Sequence, residues 1–448
     1  MNQIPVQADM GWGRSRSVVK PLVRIRLRDV LPPLAAVLVL TLAHVAYGAV
    51  QPIAALPLSG LLVVLAVVTV FAAGPHHVTP GMLVGAAVIA LAGVTGLAGP
   101  LYRSAPHLAA LFAAGALWTI GYIASRHRRA LDFAWGGLMW GAIAYCAWMF
   151  VLHVVAIPSG ENIFAQSFET PANASVLFGL FAIVGMSRIL HIIKQMDAEA
   201  LARPQMIEQL LRKGLSGLLL VGFALTCLWI VGSRPGILLT LAVLVALMWW
   251  DTLAISTREH RGIPMRIAAL AAPFIAIGLA AWGIWLGWIS DETITPGIGE
   301  SSILPNIQRF EAYMGAWMES PAIGHGLGSI GAEGDKVTTL FNAKAMRVPG
   351  DAHNVIVTWL VEVGIVGLAL LVLALGAMYA RIFAALKSRS TPRTFLRLAV
   401  MAGAFMFLHG VTDSSLDLPS AVWLYALLLG AACGVATGRR IEQRADEE

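Results

Sequence analysis

Arg234, Arg309 and His353 are the residues of this chain whose types and positions could bind an anion and move a proton. A guanidinium offers a planar fork of donors suited to phosphate or carboxylate oxygens, and a neutral imidazole is a general base. Arg234 stands in Gly232-Ser233-Arg234-Pro235-Gly236, a tight turn between two apolar runs that pins its guanidinium at a membrane interface. A snorkelling arginine would look the same in sequence. Arg309 falls within a helical pattern over 305–320, on a face shared with Tyr313 and Ala316, where a solvated surface arginine is the alternative. His353 belongs to Asp351-Ala352-His353-Asn354, where an apolar helix begins. The positive end of that helix dipole favours the neutral imidazole, and Asp351 opposes it. The competing reading is a structural histidine at an interface. Asn354 follows directly. Glu362 lies about two and a half turns further on, in Glu362-Val363-Gly364-Ile365-Val366-Gly367. An ionisable side chain at that depth is costly and is expected to face the bundle interior.

The elements that must position these residues are membrane helices. A composition that is 58% hydrophobic and 12% charged is too apolar for a water-soluble protein. Apolar runs of about 20 residues recur, at 30–50, 54–74, 78–99, 106–125, 130–157, 171–193, 214–231, 235–253, 266–289, 354–380, 394–412 and 419–437. The expected fold class is an all-α polytopic membrane protein with about 12 transmembrane helices. A high glycine content suits close helix packing in lipid. No ten-residue alternating pattern favours a barrel.

The expected organisation is a basic tail over 1–29, spans one to nine over 30–289, one large loop over 290–353, spans ten to twelve over 354–437, and a tail over 438–448. The first span reads as a retained anchor rather than a cleaved signal. Within the large loop, Ile307, Phe310, Met314, Trp317 and Met318 form an apolar stripe that Pro321 ends, predicting a short amphipathic helix on the membrane face. Next comes Pro321-Ala322-Ile323-Gly324-His325-Gly326-Leu327-Gly328, whose glycines predict tight turns or close backbone approach. No strand precedes it, so a phosphate-cradling role is weakly supported. The other loops on this side are short, at 51–53, 158–170 and 409–419.

Of 31 lysines and arginines, Arg103, Arg234, Arg309, Lys336, Lys344 and Arg347 fall on the side of the large loop, and the others share the side of the termini. The positive-inside rule then makes both termini cytoplasmic and the large loop extracytoplasmic. The net charge of +6 is thus topological, and no soluble segment is large enough for a nucleic-acid module. Cys146, Cys227 and Cys433 all lie in apolar runs, which excludes a disulfide framework and predicts buried thiols.

Read together, Ser233-Arg234-x-Gly236 opening a span, Arg309-Phe310 in a loop helix, Trp317-x-x-x-Pro321-x-x-Gly324-x-Gly326-x-Gly328, and His353-Asn354 followed by Glu362-x-Gly364-x-x-Gly367 resemble the O-antigen ligase and O-antigen polymerase superfamily of bacterial inner-membrane glycosyltransferases. The likeness covers about residues 230 to 370; upstream the match is in hydrophobic spans alone. The resemblance implies a C-type membrane glycosyltransferase fold with its large periplasmic loop between spans nine and ten. It implies a metal-independent inverting transfer from undecaprenyl diphosphate to an acceptor sugar hydroxyl, with no cofactor and no metal ligands. By matching position, Arg234 and Arg309 become the diphosphate clamps and His353 the catalytic histidine, with Asn354 and Glu362 as orienting groups. Arg103, Arg347, His325, Asp413 and Asp417 are further candidates on that side. The expected partners are the glycan donor, lipid A core or a growing glycan as acceptor, and membrane lipid, with no nucleic acid.

Several alternatives compete with this reading. Lys336, Lys344 and Arg347 could meet the phosphates of a lipid A core, favouring a ligase, or be solvated charges on a loop, leaving a polymerase of O-antigen or exopolysaccharide equally open. A twelve-span secondary transporter suits the span count. Against it, Gly74-Pro75-His76-His77-Val78-Thr79-Pro80 lacks the basic motif expected there, and ionisable residues within the spans are few. A metal-dependent oligosaccharyltransferase would need carboxylates in the first outward loop, which here is Gln51-Pro52-Ile53.

Overall fold

A computed structural model describes residues 27–49, 51–73, 93–94, 97, 99–126, 128–156, 168, 170–195, 205–256, 303–346, 352–387, 393–412 and 418–447. Among them the chain forms twelve α-helices and no strand. They are α1 (Leu27–Val45), α2 (Pro52–Ala73), α3 (Leu101–Ala124), α4 (Arg128–Ala156), α5 (Pro171–Gln195), α6 (Gln205–Val231), α7 (Arg234–Ser256), α8 (Ile303–Glu319), α9 (Ile330–Val337), α10 (Val355–Lys387), α11 (Arg393–Thr412) and α12 (Pro419–Glu447). Eight of these are long and apolar enough to cross a membrane, and shorter apolar stretches lie in α1 and α7. The chain is a helical, multi-pass membrane protein. The run expected at 266–289 lies outside the described residues, as does that at 78–99 apart from 93–94, 97 and 99, and each of the other ten falls on a described helix.

The apolar parts of α5, over Pro171–Lys194, and of α12, over Pro419–Thr437, are more buried than the other candidate spans and lie at the centre of the bundle. Backbone contact explains much of the glycine content, because side chains would hold the helices apart. A Cβ on Gly185 of α5 would lie 3.0 Å from the Gly217 carbonyl oxygen of α6, and one on Gly217 would lie 2.9 Å from that of Gly185. Along the α3–α12 seam, Gly430 and Gly434 sit directly against the carbonyls of Trp118 and Tyr122. Without a hydrophobic drive between helices in lipid, such close packing is the main source of association. The three cysteines are buried and free.

The two ends of the bundle differ in chemistry. At one end, Asp251 of α7 is fully buried and paired with Lys194 of α5, at 2.7 Å, and with Arg397 of α11. The Arg397 guanidinium also stands 5.3 Å from the centre of the Trp250 ring. At the other end, α5, α7 and α10 begin, α11 finishes, and the polar segment over 303–346 packs on the start of α3. Ser104 of α3 donates its hydroxyl to the Leu327 carbonyl at 3.0 Å.

Helix α10 departs from the expected span. Its 33 residues would extend about 50 Å, well beyond a hydrocarbon core of about 30 Å. Gly364, at φ 65° and ψ −175°, breaks it into a short first segment and a long apolar second one. Glu362 therefore does not face the bundle interior; the break turns it toward the polar segment. Three further boundaries differ from the reading of the sequence. Helix α6 starts at Gln205, α12 continues through the expected tail to Glu447, and His409 lies inside α11, fully buried, rather than in a loop.

Candidate functional site

The glycine-rich turn and the break in α10 form a backbone clasp. His325 N–H donates to the Val361 carbonyl at 2.8 Å, and Gly326 N–H to that of Glu362 at 2.8 Å. In return, Ile365 N–H donates to Pro321 at 3.0 Å and Val366 N–H to Ala322 at 3.1 Å. The approach is too close for side chains: a Cβ on Gly324 would meet the Glu362 carbonyl carbon at 2.5 Å, and one on Gly364 would meet Ile323 N at 2.6 Å. Both glycines also have positive φ, which strains any other residue. The Glu362 carboxylate completes the clasp by accepting from Gly328 N–H at 2.9 Å, with the Ile330 amide also bonded to it. The Gly326 and Gly328 amides are thus spent on Glu362, which removes them from any phosphate cradle.

The clasp fixes the segments that carry His353 and Arg309. His353 is half-buried and takes a left-handed backbone, φ 47°, rare for a residue with a Cβ. It is held there from both sides. Ala352 before it is buried in a small core with Tyr313, Ile330, Met346, Val357 and Val361. Asn354 after it caps α10, its Oδ1 accepting from the amides of Ile356 at 2.9 Å and Val357 at 3.2 Å. The Asn354 amide also donates to the Val411 carbonyl of α11 at 3.1 Å. Such strain persists where neighbours over-determine it, and it is common at functional positions.

Helix α8 matches its expected position closely. Its face with Tyr313 and Ala316 is fully buried, while Ile307, Phe310 and Met318 of the apolar stripe are exposed. Arg309 lies on the inward face. Its Nε and Nη2 donate to the Ala345 carbonyl at 3.1 and 2.6 Å, which holds the guanidinium beside the core containing Met346 and Ala352. Arg309, through the Ala345 carbonyl beside Met346, and His353, through its neighbour Ala352, thus border the same small core. That contact uses two of the five guanidinium donors.

Arg234 is the first residue of α7, with Ser233 as its cap: the Ser233 hydroxyl accepts from Gly236 N–H at 3.3 Å. Gly236 packs directly on Ser175 of α5. The Ser175 hydroxyl lies 2.9 Å from Nε2 of buried His409, two residues before the carbonyl that Asn354 bonds. A continuous path of contacts therefore links the Arg234 turn to the start of α10. The three sequence candidates all sit at this end of the bundle, where the N-termini of α7 and α10 add positive dipole ends that suit an anion.

The other candidates sort by position. Arg103 is exposed, 5.5 Å from the Tyr102 ring centre. Arg347, Asp351, Asp413 and Asp417 lie outside the described residues. Lys336 is paired with Glu333 at 2.7 Å. Sequence reasoning missed the Ser175–His409 pair, because each residue reads as an ordinary polar interruption of its own span. It also missed Glu319 and Glu333, which converge with His325. Nothing in their spacing marks them, since each sits on a different element. No family model matches the chain, and no curated protein matches it.

Proposed function

We propose that this chain is an inner-membrane glycosyltransferase that transfers a polysaccharide from undecaprenyl diphosphate to an acceptor sugar hydroxyl, acting as an O-antigen ligase on lipid A core. Its fold in this reading is a C-type glycosyltransferase of about 12 spans, with the 290–353 loop periplasmic and both termini cytoplasmic. The observation that carries the reading is that the segments bearing Arg309 and His353 border one small core, at the end of the bundle where Arg234 opens α7.

The chemistry follows from these three residues. His353 takes the proton of the acceptor hydroxyl as its oxygen attacks the anomeric carbon. The bond from that carbon to the diphosphate oxygen breaks on the opposite face, and the configuration inverts. Negative charge grows on the departing diphosphate, and the guanidinium groups of Arg234 and Arg309 stabilise it. Two cations serve the role that a divalent ion serves elsewhere at such a leaving group. Asn354 and Glu362 act through position: the first holds the backbone of His353, the second holds the clasp.

The test is the glycan phenotype of the native host after deletion of the chain and complementation with wild type or His353→Ala. In a ligase, deletion leaves lipid A core uncapped while undecaprenyl-linked polymer accumulates. His353→Ala then lowers capping by about 100- to 10,000-fold. Single repeat units on the core with loss of chain length would reassign the acceptor to a growing glycan. Full rescue by His353→Ala would remove the histidine from the chemistry and overturn the proposal.

A further inference from the structure

Glu319 at the end of α8, His325 in the glycine turn and Glu333 in the first turn of α9 bring one ligand atom each within 4.8 Å of one another. Three features of this cluster point to a cation. First, His325 Nε2 lies 2.8 Å from the Ala316 carbonyl oxygen, which can only accept, so Nε2 carries the proton. That leaves Nδ1 as the ligating atom, with its partner nitrogen tied to a backbone carbonyl as metal-bound histidines usually are. Second, Nδ1 stands 3.7 Å from Glu333 Oε1. This is too long for a hydrogen bond. It is close to the ~3.3 Å edge between two ligands of a tetrahedral ion. Third, Glu333 is 5% exposed; Lys336 donates to its Oε1 at 2.7 Å, whereas its Oε2 has no hydrogen-bond partner among the described residues. A buried carboxylate oxygen in that state is costly unless something positive reaches it.

From this geometry we propose that Glu319, His325 and Glu333 bind a first-row divalent cation, zinc being the natural choice for one imidazole and two carboxylates. The two carboxylates neutralise the ion. Lys336, whose side chain is 63% exposed, reaches Glu333 Oε1 from the solvent side, and the ion would displace it from that oxygen. Glu319 is exposed and has the freedom to swing inward. The role is a brace. The ion would join the end of α8, the clasp and the start of α9, the three segments around the core that seats Arg309 and His353. It takes no part in the transfer step and does not depend on the glycosyltransferase reading.

The experiment uses the full-length chain, purified in detergent, its tag removed, stripped with EDTA and dialysed. Zinc is titrated and read as bound metal per chain and as thermal unfolding, with cobalt as a spectroscopic replacement. Wild type should bind one zinc per chain at micromolar concentration, with a rise in Tm and cobalt d–d bands. His325→Gln and Glu333→Gln should each weaken binding by at least about tenfold, whereas His353→Ala should bind as wild type does. Should a variant fail to fold, the cobalt spectrum of wild type still decides between nitrogen-containing ligation and none. Absence of bound zinc in wild type, or equal binding by His325→Gln and Glu333→Gln, overturns the site. Because no glycan is involved, that failure is distinct from failure of the transfer reading.

Discussion

Gly364→Ala should open the clasp and uncouple the site from the membrane bundle. At φ 65° and ψ −175°, this backbone is essentially restricted to glycine, and alanine there costs about 1–3 kcal/mol. The new methyl would also collide with the Ala322 carbonyl and lie 2.6 Å from Ile323 N, both backbone atoms that cannot step aside alone. Against this stand the four backbone hydrogen bonds that join 321–326 to 361–366, contributing about 2–6 kcal/mol net in total. The perturbation is therefore comparable to the clasp itself. Hydrogen exchange of the purified chain in detergent reads it directly at the amides of His325, Gly326, Ile365 and Val366. Protection there should fall by about 5- to 150-fold, following the strain energy, with little change in α5 or α12. Gly376→Ala, later in α10, is the control. Nothing lies within 4 Å of its added methyl, and it should stabilise the helix by about 0.5–1 kcal/mol. Unchanged protection in Gly364→Ala, or an equal loss in Gly376→Ala, would refute the assignment of the clasp.

Two further substitutions separate stability from activity. His353→Gly removes the left-handed strain, about 1–2 kcal/mol, against about 0.5–1 kcal/mol of added unfolded-state entropy. With the contacts of the half-buried imidazole also removed, its Tm should stay close to that of wild type while glycan transfer is lost, a split that a purely structural histidine would not give. At the opposite end, Asp251→Ala leaves Lys194 and Arg397 facing each other around a buried position and should destabilise the chain by about 3–5 kcal/mol. Thermal unfolding measures this, and Asp251→Leu combined with Arg397→Leu should recover part of the loss.

Much of the site's framework was legible in the sequence because it depends on local pattern. The stripe from Ile307 to Met318 located α8 to within two residues at its start and one at its end, since helical period and a terminating proline are read along the chain. The turn at Ser233-Arg234-Pro235 likewise marked the start of α7. The partners of the glycines were not legible. The run from Pro321 to Gly328 predicted tight turns or a close backbone approach, yet nothing in it could show that Gly324 meets Gly364, 40 residues on.

What the sequence determined by itself was the class of the molecule, a bundle of apolar helices, because hydropathy summed over about 20 residues decides whether a segment prefers lipid. It also determined which side chains were rare enough to ask about. The tertiary structure alone decided how those side chains are used. It turned Glu362 from the bundle toward Gly328, made Asn354 a cap and tie, buried His409 against Ser175, and drew Glu319, His325 and Glu333 together. The physical reason is that a hydrogen bond or ligand set depends on direction and distance between segments. These are fixed by the break at Gly364 and the packing around Tyr313, quantities that no window of sequence contains.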